Sequence, residues 1–200
     1  MKAKSFLLLL CFAKIAPGAI INSDYATGGW SIDSILPTRG GTFRAQENIL
    51  QSFTISLLQQ SDPHAMNVFV GGTDASGAPD GSRLWQSGQF ESAVGKFTFA
   101  PDLPVLENEF YFLGIQVIDP EPGITSVRFG VTYGDPRYYI DGNVWSYASD
   151  GTLSPATEAD IATTVTLTSV PEPSILILSG IAIPLWALLY FRNRSSPSLK

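Results

Sequence analysis

Short runs in which apolar and polar residues alternate recur through the chain, and they restrict its fold more than any other feature. Residues 53–57 read Phe-Thr-Ile-Ser-Leu, and residues 127–133 read Val-Arg-Phe-Gly-Val-Thr-Tyr. A period of two sends one set of side chains to a core and the other to water, which is the pattern of a half-buried β-strand. The same alternation predicts further strands at residues 66–70, 97–99, 145–147 and 161–167.

Residues 110–118 are nearly continuously apolar, so they predict a central strand that is buried on both faces. Turn-forming stretches such as Asp119 to Gly123 separate the runs. Short strands with turns at this spacing predict an all-β, jelly-roll-like β-sandwich over residues 42–168. Residues 20–41 are predicted as a first strand or a lead-in segment, and residues 157–162 as one helical turn at most.

The C-terminal stretch combines a proline motif, an apolar run and a basic end. Ile175 to Phe191 is 17 residues without a charge, about 25 Å of helix at ~1.5 Å per residue. This length predicts a transmembrane helix over residues 175–191, and the positive-inside rule assigns the basic tail of residues 192–200, with Arg192 and Arg194, to the cytoplasm. The prolines before the helix predict an extended, accessible linker over residues 169–174. Its motif is Val170, Pro171, Glu172, Pro173 and Ser174.

This tail resembles the PEP-CTERM sorting signal of exported bacterial proteins. The resemblance covers about residues 170–194 and implies recognition by an exosortase, a membrane-embedded transpeptidase-like enzyme. It further implies cleavage near the Pro-Glu-Pro motif and release or transfer of the body to the cell surface. One departure is that the basic cluster reads Arg-Asn-Arg and is followed by a polar extension to Lys200. The alternative is a plain C-terminal anchor in which Pro-Glu-Pro is only a linker.

The N-terminal residues predict a secretory signal peptide over residues 1–19. Lys2 and Lys4 form a positive region before the short apolar run Phe6 to Ala13. Cys11, the only cysteine, would leave with this signal. The mature protein is then expected to have no disulfide framework, no thiol catalysis and no thiolate metal site.

Charge distinguishes the body of the chain from its ends. Residues 20–170 hold six Lys or Arg and 17 Asp or Glu, a net charge of −11. An acidic surface argues against nucleic acid and anionic lipid as partners, because both need a basic footprint. The length of this region suits a single extracellular domain of ordinary size.

The order of aromatic strands and turns in residues 42–168 carries a second resemblance. Its segments are Gln51 to Thr54, Val68 to Val70, Asp74 to Gly81, Leu84-Trp85, Phe110 to Phe112 and Trp145-Ser146. Together they are similar to the "choice-of-anchor" exported β-domains, which are named for carrying alternative surface-anchoring tails. The resemblance implies a jelly-roll-like sandwich and supplies no catalytic residues.

Candidates for catalysis are few. His64 is the only histidine, so a Ser-His-Asp triad would have to use it, yet it lies in a predicted turn and the chain has no G-x-S-x-G motif. A solvated turn residue is the simpler interpretation. Glu107 and Glu109 share one face of a predicted strand near Asp102, but their Pro-rich surroundings predict exposure, whereas a glycosidase needs one buried carboxyl. We therefore expect no enzymatic activity.

Hard oxygen ligands occur on two predicted loops, Asp74 to Asp80 and Asp135 to Asn143, which makes calcium the one inorganic candidate. The first loop lacks the D-x-D-x-D-G pattern, and turns favour Asp, Ser and Gly for backbone reasons alone. We expect no cofactor and no metal site.

Aromatic side chains could supply a stacking platform for a glycan on one sheet face. Alternation also fits most of them to a core, although adjacent Tyr138 and Tyr139 in one strand would point opposite ways. The candidate ligand-facing residues are Trp85, Tyr138, Tyr139 and Trp145, with Tyr133 and Tyr147 beside them.

Together these patterns predict an exported protein that an exosortase-type membrane protease sorts to the cell surface or the extracellular matrix, where its role is structural or adhesive. The C-terminal helix would hold it in the cytoplasmic membrane before processing. The alternative is a carbohydrate-binding module associated with exopolysaccharide, which would carry an exposed row of aromatics on one sheet face.

Overall fold

The computed structural model describes residues 18–22, 26, 28–59, 63–119, 127–133, 143–156 and 159–169. They belong to one compact unit, Pro17–Ser169. The other unit, residues 1–16 and 170–200, lies wholly outside the described residues, and so do the Pro-Glu-Pro motif, the predicted transmembrane helix and the two arginines. Within the described ranges, no helix has the length and apolar character needed to cross a membrane.

All regular secondary structure in the described residues is β-strand. In chain order the strands are β1 (Ile20–Asn22), β2 (Gly28–Ile32), β3 (Thr38–Arg44), β4 (Ile49–Gln59), β5 (Ala65–Gly71), β6 (Trp85–Gln86), β7 (Phe90–Glu91), β8 (Gly95–Phe99), β9 (Leu103–Pro104), β10 (Phe110–Val117), β11 (Val127–Tyr133), β12 (Val144–Tyr147), β13 (Leu153–Ala156), β14 (Ala159–Ile161) and β15 (Thr163–Thr168).

The strands form two antiparallel sheets. The first sheet has the order β1-β15-β4-β11-β14, with β8 and β9 also paired to β4 and β2 paired to β11. The second sheet has the order β13-β12-β3-β10-β5-β6, with β7 also paired to β5. Strands distant in sequence therefore lie side by side, as when β3 pairs with both β10 and β12.

Inward side chains of both sheets meet in one hydrophobic core. Phe53 and Ile55 of the first sheet and Val68, Leu113 and Ile115 of the second are almost completely buried in the same cluster. The alternation predicted over residues 53–57, 66–70 and 127–133 is confirmed, because the core residues within each run are two positions apart. Two sheets around one core are consistent with a β-sandwich.

Strand β10 is buried on both faces, as its continuous apolar sequence predicts. Tyr111 and Leu113 point into the core, while Phe112 on the opposite face is only 1 % exposed. Phe69, at an outward position of β5, is 5 % exposed. The second sheet therefore has a covered outer face, which a one-sided alternation does not predict.

One short segment differs from the sequence pattern. Residues 159–161 form β14, which pairs with β11 through Val131↔Ile161, where at most a helical turn was predicted. Long-range ladder bonds with β11 decide this conformation, which a three-residue strand cannot signal by itself. Residues 20–41, predicted as a first strand or a lead-in segment, contain β1 and β2, and β3 runs across their boundary from Thr38 to Arg44.

Candidate functional site

The outer face of the second sheet carries a pocket of about 300 Å³. Its floor is a row of aromatic rings from three strands: Phe69 of β5, Phe112 of β10 and Tyr147 of β12. The ring centroids of Phe69 and Phe112 are 5.8 Å apart, and those of Phe112 and Tyr147 are 6.0 Å apart, both in edge-to-face arrangements. Thr38 and Gln116 complete the floor.

Glycines on neighbouring strands leave room for the Phe69 and Phe112 rings. Gly114 stands directly opposite Phe69, and a Cβ on Gly114 would overlap the Phe69 ring. Gly40 stands opposite Gly114, and its Cβ would come within 2.7 Å of the tip of the Phe112 ring. The ordinary distance between non-bonded carbons is about 3.5–4.0 Å, so only glycine fits at either position without a shift.

The loop between β5 and β6 forms one wall of the pocket, and its own hydrogen bonds hold its shape. Gly72 N–H donates to Ser82 Oγ at 2.9 Å, and Ser82 N–H donates to Asp80 Oδ1 at 2.8 Å. Thr73 Oγ1–H donates to the Phe110 carbonyl at 2.9 Å, which ties the loop to β10. The shape of this wall is therefore set by hydrogen bonds within the protein.

The turn between β12 and β13 forms the opposite wall. Gly151 N–H donates to the Ala148 carbonyl at 2.9 Å, and Gly151 adopts a left-handed φ of 84° that favours glycine. Ser149 N–H donates to the Ile35 carbonyl at 2.9 Å, which fastens the turn to the segment before β3.

Arg83 is a fixed cation at the rim of the pocket. Its guanidinium carbon lies 4.3 Å from the centroid of the Phe69 ring. One terminal nitrogen donates to Gln116 Oε1 at 2.8 Å, and the other donates to Gln86 Oε1. Two amides and one aromatic face thus set the plane of the guanidinium.

Tyr147 is a half-buried phenol at the junction of floor and wall. Desolvation by burial, and then the negative charge of Asp80, raise the pKa of Tyr147 above its usual 10.0, while the positive charge of Arg83 acts in the opposite direction. Tyr147 is therefore a neutral hydroxyl at physiological pH, able to donate or accept a hydrogen bond.

The arrangement suits binding of a small ring with polar edges. Aromatic surfaces below can pack on apolar C–H faces, and the guanidinium, phenol and hydroxyl groups at the rim can bond to polar substituents. Pockets for drug-sized ligands start at roughly this volume, so the cavity matches one such ring rather than an extended chain.

The structure brings together only part of the predicted aromatic platform. Trp145 shares the outer face with Tyr147 two residues later on β12 and is half-buried beside the pocket, with its Nε1 buried and without a hydrogen-bond partner among the described residues. Tyr138, Tyr139 and the side chain of Tyr133 lie outside the described residues.

Trp85 faces the other way, so its assignment as a ligand-facing residue needs correction. It stands opposite buried Val70 on β5 and packs against the core. Its ring meets Phe53 edge-on at 5.8 Å and Phe99 at 6.3 Å. Trp85 therefore bridges the two sheets at one edge of the core. Strand β6 has only two residues, so its sequence has no alternation from which the direction of the Trp85 side chain could be predicted.

His64 is not the solvated turn residue that its sequence context predicts. It lies just before β5, its side-chain Nε2 is buried, and its main-chain N–H donates to Ser92 Oγ at 2.8 Å. This bond involves the main chain rather than the imidazole, so it does not make a nucleophile–base pair.

The carboxylate candidates occupy a turn rather than a strand. Glu107 and Glu109 lie exposed between β9 and β10, and Asp102 lies exposed before β9. The predicted exposure is confirmed, and the predicted shared strand face is wrong. A left-handed Asn108, with φ 70°, turns the chain between the two glutamates.

The first calcium candidate uses its carboxylate to shape its own loop. Asp74 Oδ1 accepts hydrogen bonds from Ser76 N at 2.8 Å, Ser76 Oγ at 2.6 Å and Ala78 N at 3.1 Å. These bonds, that from the Ser76 hydroxyl first, lower the pKa of Asp74. Among the described residues no group of three metal-binding side chains occurs, and residues 135–142 of the second loop lie outside them.

Comparison with protein-family models and with curated proteins found no match for this chain. The pocket is therefore identified as a candidate site from its geometry alone. The sequence patterns did not identify Phe69, Phe112, Gln116 or Arg83 as site residues. The pattern that could have indicated an aromatic floor is the pair of glycines, Gly40 and Gly114, within strands that contain aromatic residues.

Proposed function

We propose that this chain is an exported surface protein that an exosortase-type system sorts to the cell surface or extracellular matrix, where its role is structural or adhesive. The observation that carries the proposal is the order of the tail: a Pro-Glu-Pro motif, 17 uncharged residues and then two arginines. A single all-β unit with an acidic sequence supports it as the exported cargo. We further propose that the two sheets follow a jelly-roll-like arrangement.

The sorting proposal is tested by Glu172→Ala in cells that contain an exosortase. The wild-type chain should lose its tail and accumulate outside the cytoplasmic membrane, whereas Glu172→Ala should keep the tail and remain in that membrane. The chain offers a matched control in Pro120-Glu121-Pro122, a second Pro-Glu-Pro stretch without a following apolar run. Glu121→Ala should be sorted normally. A wild-type chain that keeps its tail supports the plain-anchor alternative.

We propose carbohydrate binding as a second candidate function, and the pocket on the second sheet is the observation that favours it. A row of aromatic rings on one sheet face is what this candidate requires, although Phe69 and Phe112 are buried and Tyr147 alone of the three is partly exposed. The geometry therefore supports recognition of a single sugar ring better than stacking along a polysaccharide surface.

Retention on immobilised exopolysaccharide tests this second function. Tyr147→Ala removes the exposed aromatic ring of the pocket floor and should abolish retention of the full chain in detergent. Leu58→Ala is the control, because Leu58 is exposed on the first sheet, away from the pocket. Equal retention of both variants, or no retention of the wild type, contradicts the proposal.

A further inference from the structure

The pocket is lined by one positively charged side chain. Among the described residues that line it, Arg83 is the only charged one. Its contacts are with two neutral amides and an aromatic ring, and no described Asp or Glu forms an ion pair with it. Residues 20–170 have only six Lys or Arg against 17 Asp or Glu, so acidic partners are abundant in the sequence. A fixed cation left open here provides a site for an anion.

The guanidinium has unused donors in a fixed plane. A guanidinium carries five N–H groups, and the bonds to Gln116 and Gln86 use one on each terminal nitrogen. The remaining N–H groups can hold a carboxylate through two parallel bonds, which a point charge such as Lys cannot do. Because Gln116, Gln86 and Phe69 already orient the group, little side-chain entropy is lost on binding.

We propose that the pocket takes the ring of an acidic saccharide, with its carboxylate on Arg83 and its C–H face against Tyr147. This inference rests on the carbohydrate-binding function proposed above and names its ligand class. A uronic acid matches both parts, since it combines a pyranose ring with one carboxylate. The hydroxyls of Ser82 and Ser149 lie on the two walls, where they can bond to ring hydroxyls.

Asp80 provides an internal check on this assignment. Its carboxylate accepts the Ser82 N–H and acts on Tyr147, but it does not line the pocket. The negative charge of Asp80 beside the pocket repels an anionic ligand more than a neutral one. Asp80→Asn should therefore strengthen binding of a uronide relative to that of the neutral sugar.

The experiment compares methyl β-glucuronide with methyl β-glucoside on the full chain in detergent, by calorimetry or ligand-observed NMR. The two probes differ only in a carboxylate against a hydroxymethyl group. The glucuronide should bind tighter, and Arg83→Gln should weaken its binding by about 10- to 100-fold, well beyond any effect on the glucoside. Arg44→Gln is the matched control, because Arg44 lies at the other end of β3 from Thr38, about 20 Å away at ~3.4 Å per residue. Added salt should weaken glucuronide binding alone.

The outcomes distinguish the specificity for an acidic saccharide from carbohydrate binding in general. Equal binding of both sugars that Tyr147→Ala abolishes keeps carbohydrate binding and overturns the acidic specificity. Binding of acetate or inorganic phosphate as tight as that of the glucuronide overturns the saccharide and leaves a bare anion site. No binding of either sugar overturns both proposals. A preference for glucuronide that survives Arg83→Gln overturns the role of Arg83.

Discussion

Replacing Gly114 with alanine tests the packing that builds the pocket floor. A Cβ at this position would overlap the Phe69 ring, and the ring must move by roughly an ångström to regain ordinary contact. Phe69 is 5 % exposed and also supports the guanidinium of Arg83. One added methyl group should therefore disturb both the stability of the sheet and the shape of the site.

The expected cost follows from two opposing effects. Forcing a methyl group into a packed contact costs about 1–3 kcal/mol. Alanine also lowers the conformational entropy of the unfolded chain relative to glycine, which stabilises the folded state by about 0.4–1 kcal/mol. This gain applies here because Gly114 has no left-handed φ, so alanine can adopt its backbone conformation. The net destabilisation should be about 1–2 kcal/mol, equivalent to a fall in Tm of about 2–8 °C for a domain of this size.

Urea denaturation followed by tryptophan fluorescence measures this cost, with Gly88→Ala as the control because nothing lies within 4 Å of a Cβ there. Gly114→Ala should also become nearly neutral in a Phe69→Ala background, where the ring is gone, so a double-mutant cycle should give a coupling of about 1–2 kcal/mol. If Gly114→Ala costs no more than Gly88→Ala, or if the cycle shows no coupling, the ring does not rest on Gly114 and the described floor is wrong.

The other predictions concern acid stability and the core edge. Hydrogen bonds to Asp74 lower its pKa below the ordinary 3.8 in the folded protein. The stability that this carboxylate contributes is therefore complete well above pH 3.8 and is lost as the pH falls through the lower folded-state pKa. Asp74→Asn should reduce this acid-induced loss of stability, measured as urea midpoints between neutral pH and about pH 3. An Asn variant as acid-sensitive as the wild type contradicts the assignment. Trp85→Ala should lower the free energy of unfolding by about 2–4 kcal/mol because its ring bridges the sheets, whereas Leu84→Ala beside it, 48 % exposed, should change it by less than about 0.5 kcal/mol. Equal effects in thermal melts would show that Trp85 is not part of the core.

The strands were predictable where one local rule determined them. In residues 53–57 of β4 and in β11 a period of two assigns the buried set directly, since each core residue is two positions from the next. The three-residue β14 is too short to carry such a period, and it exists through its pairing with β11. Local sequence therefore predicts long strands and misses those that depend on a distant partner.

The pocket could not be predicted for a related reason. Arg83 acts through Gln116, 33 residues later, and lies near Tyr147 across the sheet, and neither spacing has a periodic signature. Phe69 occupies an outward position, where alternation predicts contact with water. The loop between β5 and β6 lines the space above it, and no local pattern gives the path of that loop.

The mass of the mature protein, measured intact from host cells that contain an exosortase, tests the central claim most directly. The sorting account predicts a mass that lacks both the N-terminal signal and everything beyond the Pro-Glu-Pro region, with or without an attached surface group. Recovery of the full-length, unprocessed chain from the cytosolic fraction would contradict it.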